Sequence, residues 1–195
     1  MPQPSANDAP QPDGGFDGPV GGDPAFLAAC SGLSDRERLR LSRFRHPGRR
    51  AEFVASRRLA KALLRSSGQV KPQTPDEAIS ILPKGTGSQR PRVWVGHQRR
   101  EIDLSLSHMG ADAGGPGWVA VAISAGPRIG IDLVRPNAAA SERLAVWFTD
   151  DERRLANDES LTLVDLWAMK EAAFKATSEQ QPFRPADFPI AADKG

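Results

Sequence analysis

The sequence has one cysteine, Cys30. That excludes a disulfide framework and any metal site built on paired thiolates. It has no apolar run approaching the roughly 18 residues a membrane span needs, and its first residues lack the charged and apolar regions of a secretory signal. The cytoplasm is the expected compartment. Net charge is only +2 over 195 residues. Even so, Lys and Arg cluster between Arg36 and Arg65 and between Arg90 and Arg100. Such clusters suit a polyanion, either nucleic acid or a phosphorylated small molecule. No G-x-S-x-G elbow is present, and the adjacent Ser107 and His108 cannot make a serine-protease pair by adjacency.

What is present is enough for a globular body. Hydrophobic residues make up 39%, which allows one domain or two small halves sharing a core. Residues 1–24 are mostly Pro, Gly, Asp and Gln, and are expected to form a disordered tail. Ser34 with Glu37 reads as a capping box opening a helix to about Phe44. His46-Pro47-Gly48 ends that helix. A longer helix is expected from about Arg49 to Arg65, with Phe53, Val54, Leu59, Ala60, Leu63 and Leu64 inward. Its Arg57, Arg58 and Lys61 could form a cationic patch. Thr74 to Glu77 resembles a helix start, yet Ala78 to Leu82 looks extended. Val93 to Val95 is a weak strand, and Gly85, Gly87 and Pro91 mark a loop carrying Lys84 and Arg90. Ile102, Leu104 and Leu106 alternate with polar residues, giving a half-buried strand that delivers Ser107 and His108 to its end. Trp118 to Ile123 is the next strand.

Two stretches look able to carry chemistry. Ile129 to Arg135 reads as a buried strand, the third leg of an antiparallel meander. Asp132 in its middle would be costly to bury unless paired or bound to a metal. Gly130 leaves room for something to approach. After a short helix over Ser141 to Trp147 and another opened by Thr149 with Glu152, a third helix starts at Thr162 with Asp165. It places Trp167, Glu171 and Lys175 on one face. An i,i+4 ion pair worth a few tenths of a kcal/mol would explain Glu171 and Lys175 alone. Asp132 turns the balance toward a site.

Gly130-Ile131-Asp132, followed by Trp167-Ala168-Met169-Lys170-Glu171-Ala172-Ala173-Phe174-Lys175, resembles the paired motifs of the Sfp-like 4′-phosphopantetheinyl transferases, the holo-[acyl-carrier-protein] synthase superfamily. Leu106-Ser107-His108, Phe148-Thr149-Asp150-Asp151-Glu152, Ala55-Ser56-Arg57-Arg58-Leu59 and Gln89-Arg90-Pro91 resemble further segments in the same order. The resemblance implies an α+β fold of two similar halves in a pseudo-dimer, 25–101 and 102–195, with the site between them. It implies transfer of phosphopantetheine from coenzyme A to a serine of an apo acyl or peptidyl carrier protein, releasing 3′,5′-ADP. Asp132 and Glu171 would hold Mg2+, or Mn2+ in its place. Lys175, His108 and Ser107 would hold phosphate oxygens, and Lys175 would also serve the catalytic step. Arg40, Arg57 and Arg90 would serve the 3′-phosphate and adenosine. Glu171, or Glu152 through a water, would be the base.

Val134 stands where many members carry a further acid, and Thr177 to Gln181 replace a Gly-rich stretch. The second half ends at Gly195, where the family usually continues into more strands, so a compact or shortened member is implied. A monomer without membrane attachment is expected. Two other readings stand beside this one. A non-catalytic member could bind coenzyme A or a carrier protein. A basic nucleic-acid-binding module would show steep salt dependence, but no nucleic-acid motif is present and the aromatics do not interleave with the basic runs.

Overall fold

The computed structural model describes residues 28, 30–83, 90–110, 117–135, 143–158, 161–177 and 182–191. The expected tail over 1–24, Lys84, Gln89 and the start of the Ser141 helix lie outside the described residues. Among the described residues the architecture is mixed, with four α-helices and two small antiparallel sheets.

Helix α1 (Asp35–Ser42) opens on the expected capping box. The Glu37 amide donates to Ser34 Oγ at 3.4 Å, and the Ser34 amide to Glu37 Oε2 at 3.0 Å. Helix α2 (Pro47–Ser66) has its proline in the first turn, where the missing N–H has no intrahelical partner to lose. Its Phe53 and Val54 join Leu33, Leu41 and Cys30 in one apolar cluster. Its Ala60 and Leu64 join Ile79, Ile81, Val93, Ile102 and Leu104 in another. One 20-residue helix thereby ties α1 to both sheets.

Strands β1 (Ile79–Pro83), β2 (Pro91–Val95) and β3 (Gln98–Arg100) form one sheet. Strands β4 (Asp103–Met109) and β5 (Trp118–Ser124) form the other, with Ser107 opposite Ala120. The helix start at Thr74 yields only a 3-10 turn over Asp76–Ala78. The β-branched Ile79 and Ile81 that follow are fully buried in the sheet, which draws the chain into a strand.

The expected strand at Ile129 to Arg135 needs correction. The segment joins no ladder. Side chains on one face of β4 take its amides instead. Asp103 Oδ2 accepts from Ile129 N at 2.7 Å, Ser105 Oγ from Ile131 N at 3.1 Å, and Ser107 Oγ from Leu133 N at 3.0 Å. Each bond spans 26 residues, so the segment runs parallel to β4 in constant register. The amides are satisfied, but by side-chain oxygens. The polar face of β4 is therefore covered, and Ser105 and Ser107 are buried.

Residues 143–144 are helical and run into a 3-10 turn at Ala145–Trp147, so the described end of the expected Ser141 helix is helical, and helix α3 (Asp150–Asp158) follows it. Helix α4 (Leu163–Thr177) begins on the expected Thr162–Asp165 exchange, Thr162 N to Asp165 Oδ2 at 2.8 Å and Asp165 N to Thr162 Oγ1 at 3.2 Å. What approaches Gly130 is the backbone of this helix. A Cβ at Gly130 would stand 1.8 Å from the Ala172 carbonyl oxygen.

A likeness between the two ends of the chain, not found in the sequence, shows in two buried ion pairs. Glu37 of α1 meets Lys61 of α2 at 2.6 Å, and Glu152 of α3 meets Lys170 of α4 at 2.6 Å. Lys61 also donates to the carbonyl of Asp76, 15 residues on, and Lys170 to that of Pro185, again 15 residues on. The carboxylate also accepts from Ile81 N in one case and Ile190 N in the other, at 2.9 Å each. Both pairs are almost wholly desolvated, which is tolerable only because the charges are mutually paired and hydrogen-bonded. Lys61 is thus part of the core and not of a cationic patch.

Candidate functional site

A cavity of about 1180 Å³ opens between α1 and α2 on one side and α4 on the other. β4 and the Asp132 segment line it between them. Asp132, Glu171, Lys175, Ser107, His108, Arg40, Arg57 and Arg90 all contribute to its wall.

Asp132 arrives from the extended segment and Glu171 from the middle of α4. The comb of β4 side chains sets the first, and the Gly130 contact brings the helix close enough for the second. Ser107 Oγ donates to Asp132 Oδ1 at 2.8 Å. Lys175 Nζ is ion-paired with the same oxygen and donates to Ile131 O at 3.2 Å. Trp167 Nε1 donates to Glu171 Oε1 at 2.9 Å. Burial holds the Glu171 carboxyl above its ordinary range, and the neighbouring Asp132 charge adds to this, while Lys175 and Trp167 work against it. Two carboxylates thus share one corner with a single ammonium.

His108 stands at the end of β4, half-exposed. Its Nε2 faces Glu52 Oε2 at 3.3 Å and contacts the Arg49 guanidinium. Burial lowers its pKa, Glu52 opposes that, and Arg49 and Lys175 reinforce it. Arg57 donates to Ile81 O at 2.9 Å and lies 4.2 Å over the Phe53 ring, and burial pulls its pKa down to about 10. Arg90 is bound to Asp103, Lys175 O and Ile129 O. Arg40 is exposed at the wall.

Glu152 is not brought to this cavity. Its oxygens are taken by Lys170, Thr149 N and Ile190 N, and these hold its carboxyl below the ordinary range despite burial. Its expected role as a base through water is corrected to that of a cap and ion-pair partner. Arg49, Glu52 and Phe44 line the cavity and were missed. The only sequence sign was their place at the end of α1 and the start of α2, on either side of the His46-Pro47-Gly48 break. Ser105, also missed, was marked by alternation with Ser107.

Among the described residues no group of three or more His, Cys, Asp or Glu could hold a metal ion. A hard cation such as Mg2+ takes one or two carboxylates and completes its shell with water and phosphate oxygens. Asp132 and Glu171 fit that donor set, and Val134 lines the same cavity without adding to it. Carboxylates, an ammonium, a hydroxyl and an imidazole around a cleft of this size suit a cation shared with a phosphate ester.

Residues 128–194 match the family model of the 4′-phosphopantetheinyl transferase superfamily. Asp132, Glu171 and Lys175 all lie within the matched segment. Comparison with curated proteins gave no match. No described helix is long and apolar enough to cross a membrane.

Proposed function

We propose that this chain transfers the 4′-phosphopantetheine moiety of coenzyme A to a serine of an apo acyl or peptidyl carrier protein, releasing 3′,5′-ADP. The observation that carries the reading is the meeting of Asp132 and Glu171, from separate elements of the matched segment, in a cavity also lined by Lys175, Ser107 and His108. Asp132 and Glu171 would hold Mg2+, or Mn2+ in its place. When bound, the cation neutralises diphosphate charge. Lys175 and His108 orient phosphate oxygens from the α4 and β4 sides, and Ser107 keeps Asp132 in place. The carrier serine oxygen forms a bond to the phosphorus bearing pantetheine as the bond to 3′,5′-ADP breaks. Glu171 accepts the serine proton. Arg40 and Arg57 supply positive charge at the opposite wall for the 3′-phosphate. The paired Glu–Lys clusters support the reading of two similar halves with the site between them.

The test is to incubate the protein with coenzyme A, Mg2+ and apo carrier proteins and to weigh the carriers. A gain of one phosphopantetheine is expected. Asp132→Ala should lower the rate by about 100-fold or more while circular dichroism stays native. Tight coenzyme A binding with no transfer to any carrier would favour the non-catalytic reading.

A further inference from the structure

We propose that Arg90 is a positioning residue, locking the end of α4 to the Asp132 segment, and does not grip the coenzyme's phosphates. The inference rests on the transfer reading above. A guanidinium has five N–H donors. Arg90 directs Nε to Asp103 Oδ1 at 2.8 Å and Nη2 to Asp103 Oδ2, a forked pair. Nη1 donates to the Lys175 carbonyl, and Nη2 also reaches Ile129 O at 3.4 Å. At most one N–H is left, too few for a two-pronged hold on a phosphate. Arg90 is also only 6% exposed.

The bonds it makes are those a lock would need. The last carbonyls of a helix have no partner within it, and that end favours a cation. Arg90 satisfies one of them at Lys175, the residue whose ammonium meets Asp132. Asp103, held by the same guanidinium, accepts from Ile129 N and is the first tooth of the comb. The last tooth, Ser107, donates to Asp132. One ion pair thus sets the register of both elements that carry the site's charges. Arg128, donating to Thr177 O at 3.1 Å, adds a second tie at the same helix end.

The experiment compares Arg90→Lys, Arg90→Gln and Asp103→Asn with the unaltered chain. Each is assayed with coenzyme A and with dephospho-coenzyme A, which lacks the 3′-phosphate. A lock predicts that kcat falls about 10- to 100-fold, that KM moves by less than about 3-fold, and that the preference for coenzyme A is unchanged. Arg90→Lys, which keeps the charge, should lose less than Arg90→Gln. Loss of the coenzyme A preference with kcat retained would show that Arg90 holds the phosphate, and would overturn the proposal. Hydrogen exchange supplies a readout independent of turnover. The variants should exchange faster at Ile129, Ile131 and Leu133 and in the last turn of α4, with β1 to β3 unchanged. Unchanged exchange at those amides would overturn the lock. Should the unaltered chain label no carrier while this exchange signature appears, the transfer reading fails and the lock stands. Asp103→Asn preserves side-chain shape, so the same signature is readable if the Arg90 variants unfold.

Discussion

Glu171 is the residue whose state depends most on its neighbours. Its carboxyl is raised by burial first and by the Asp132 charge second. A raised acid favours folding while it is protonated. That contribution is complete below the ordinary value of 4.5 and is lost as pH rises through the elevated one. Glu171→Gln should therefore stabilise the metal-free protein at neutral pH and make no difference at pH values below 4.5. Urea midpoints measured across pH would show the two curves separating upward from there. Curves that stay parallel would mean that Glu171 is not strained by its surroundings. Asp132→Asn removes the second cause, so the Glu171 carbon resonance should then titrate at lower pH than in the unaltered chain. Much at this scale was legible in the sequence. Asp132, Glu171, Lys175, Ser107 and His108 were all named from motifs and do line one cavity. Arg90 and Glu152 were named too, but whether a charged residue faces a cavity or another side chain depends on contacts between distant elements, which no local pattern encodes.

At the scale of elements, the sequence marked most helix starts because a capping box is written in four consecutive residues. Both reciprocal bonds occur at Ser34–Glu37 and at Thr149–Glu152. The same glutamates then pair with lysines one helix away, which nothing local reveals. Lys61→Met would leave Glu37 buried with only the more distant Arg57, 3.9 Å away, and the expected cost is about 3–5 kcal/mol. Adding Glu37→Gln should recover part of it. Denaturant unfolding measures both, and a single-variant loss below about 1 kcal/mol would show that water reaches the pair. The Asp132 segment was misread because alternation cannot distinguish a ladder from a comb. β4 offers side-chain oxygens on every second residue, and these take the amides that another strand's carbonyls would have taken. Gly130 was read correctly as room for a close approach, without a sign of what would fill it. Gly130→Ala must displace either the segment or the Ala172 backbone. Destabilisation of about 1–3 kcal/mol is expected, together with weaker Mn2+ binding by paramagnetic relaxation. Unchanged Mn2+ affinity would separate Gly130 from the site.

Across the whole molecule, the mixed α and β character was legible from periodicity, and the matched superfamily segment covers one end of it. The cavity wall, in contrast, draws on α1, α2, β4, the Asp132 segment and α4. Arg40 and Arg57 lie on the side of the chain outside the matched residues, and Glu171 and Lys175 inside it. A coenzyme A molecule with phosphates at both ends of its nucleotide would have to touch both sides at once. Binding should then be linked to the stability of the whole, adding about 2.7 kcal/mol at a concentration 100 times Kd. It should also slow amide exchange together in the first turns of α2 and the last turns of α4. The two effects have a common origin: a ligand held from both sides is released when either side opens, so binding makes local opening of each side rarer by the same factor. Adenosine 3′,5′-bisphosphate, which lacks the pantetheine arm, should protect α2 while leaving α4 less protected than coenzyme A does. Protection confined to α4 with the full coenzyme would place the nucleotide outside this cavity, and the arginines of α1 and α2 would then have no part in holding it.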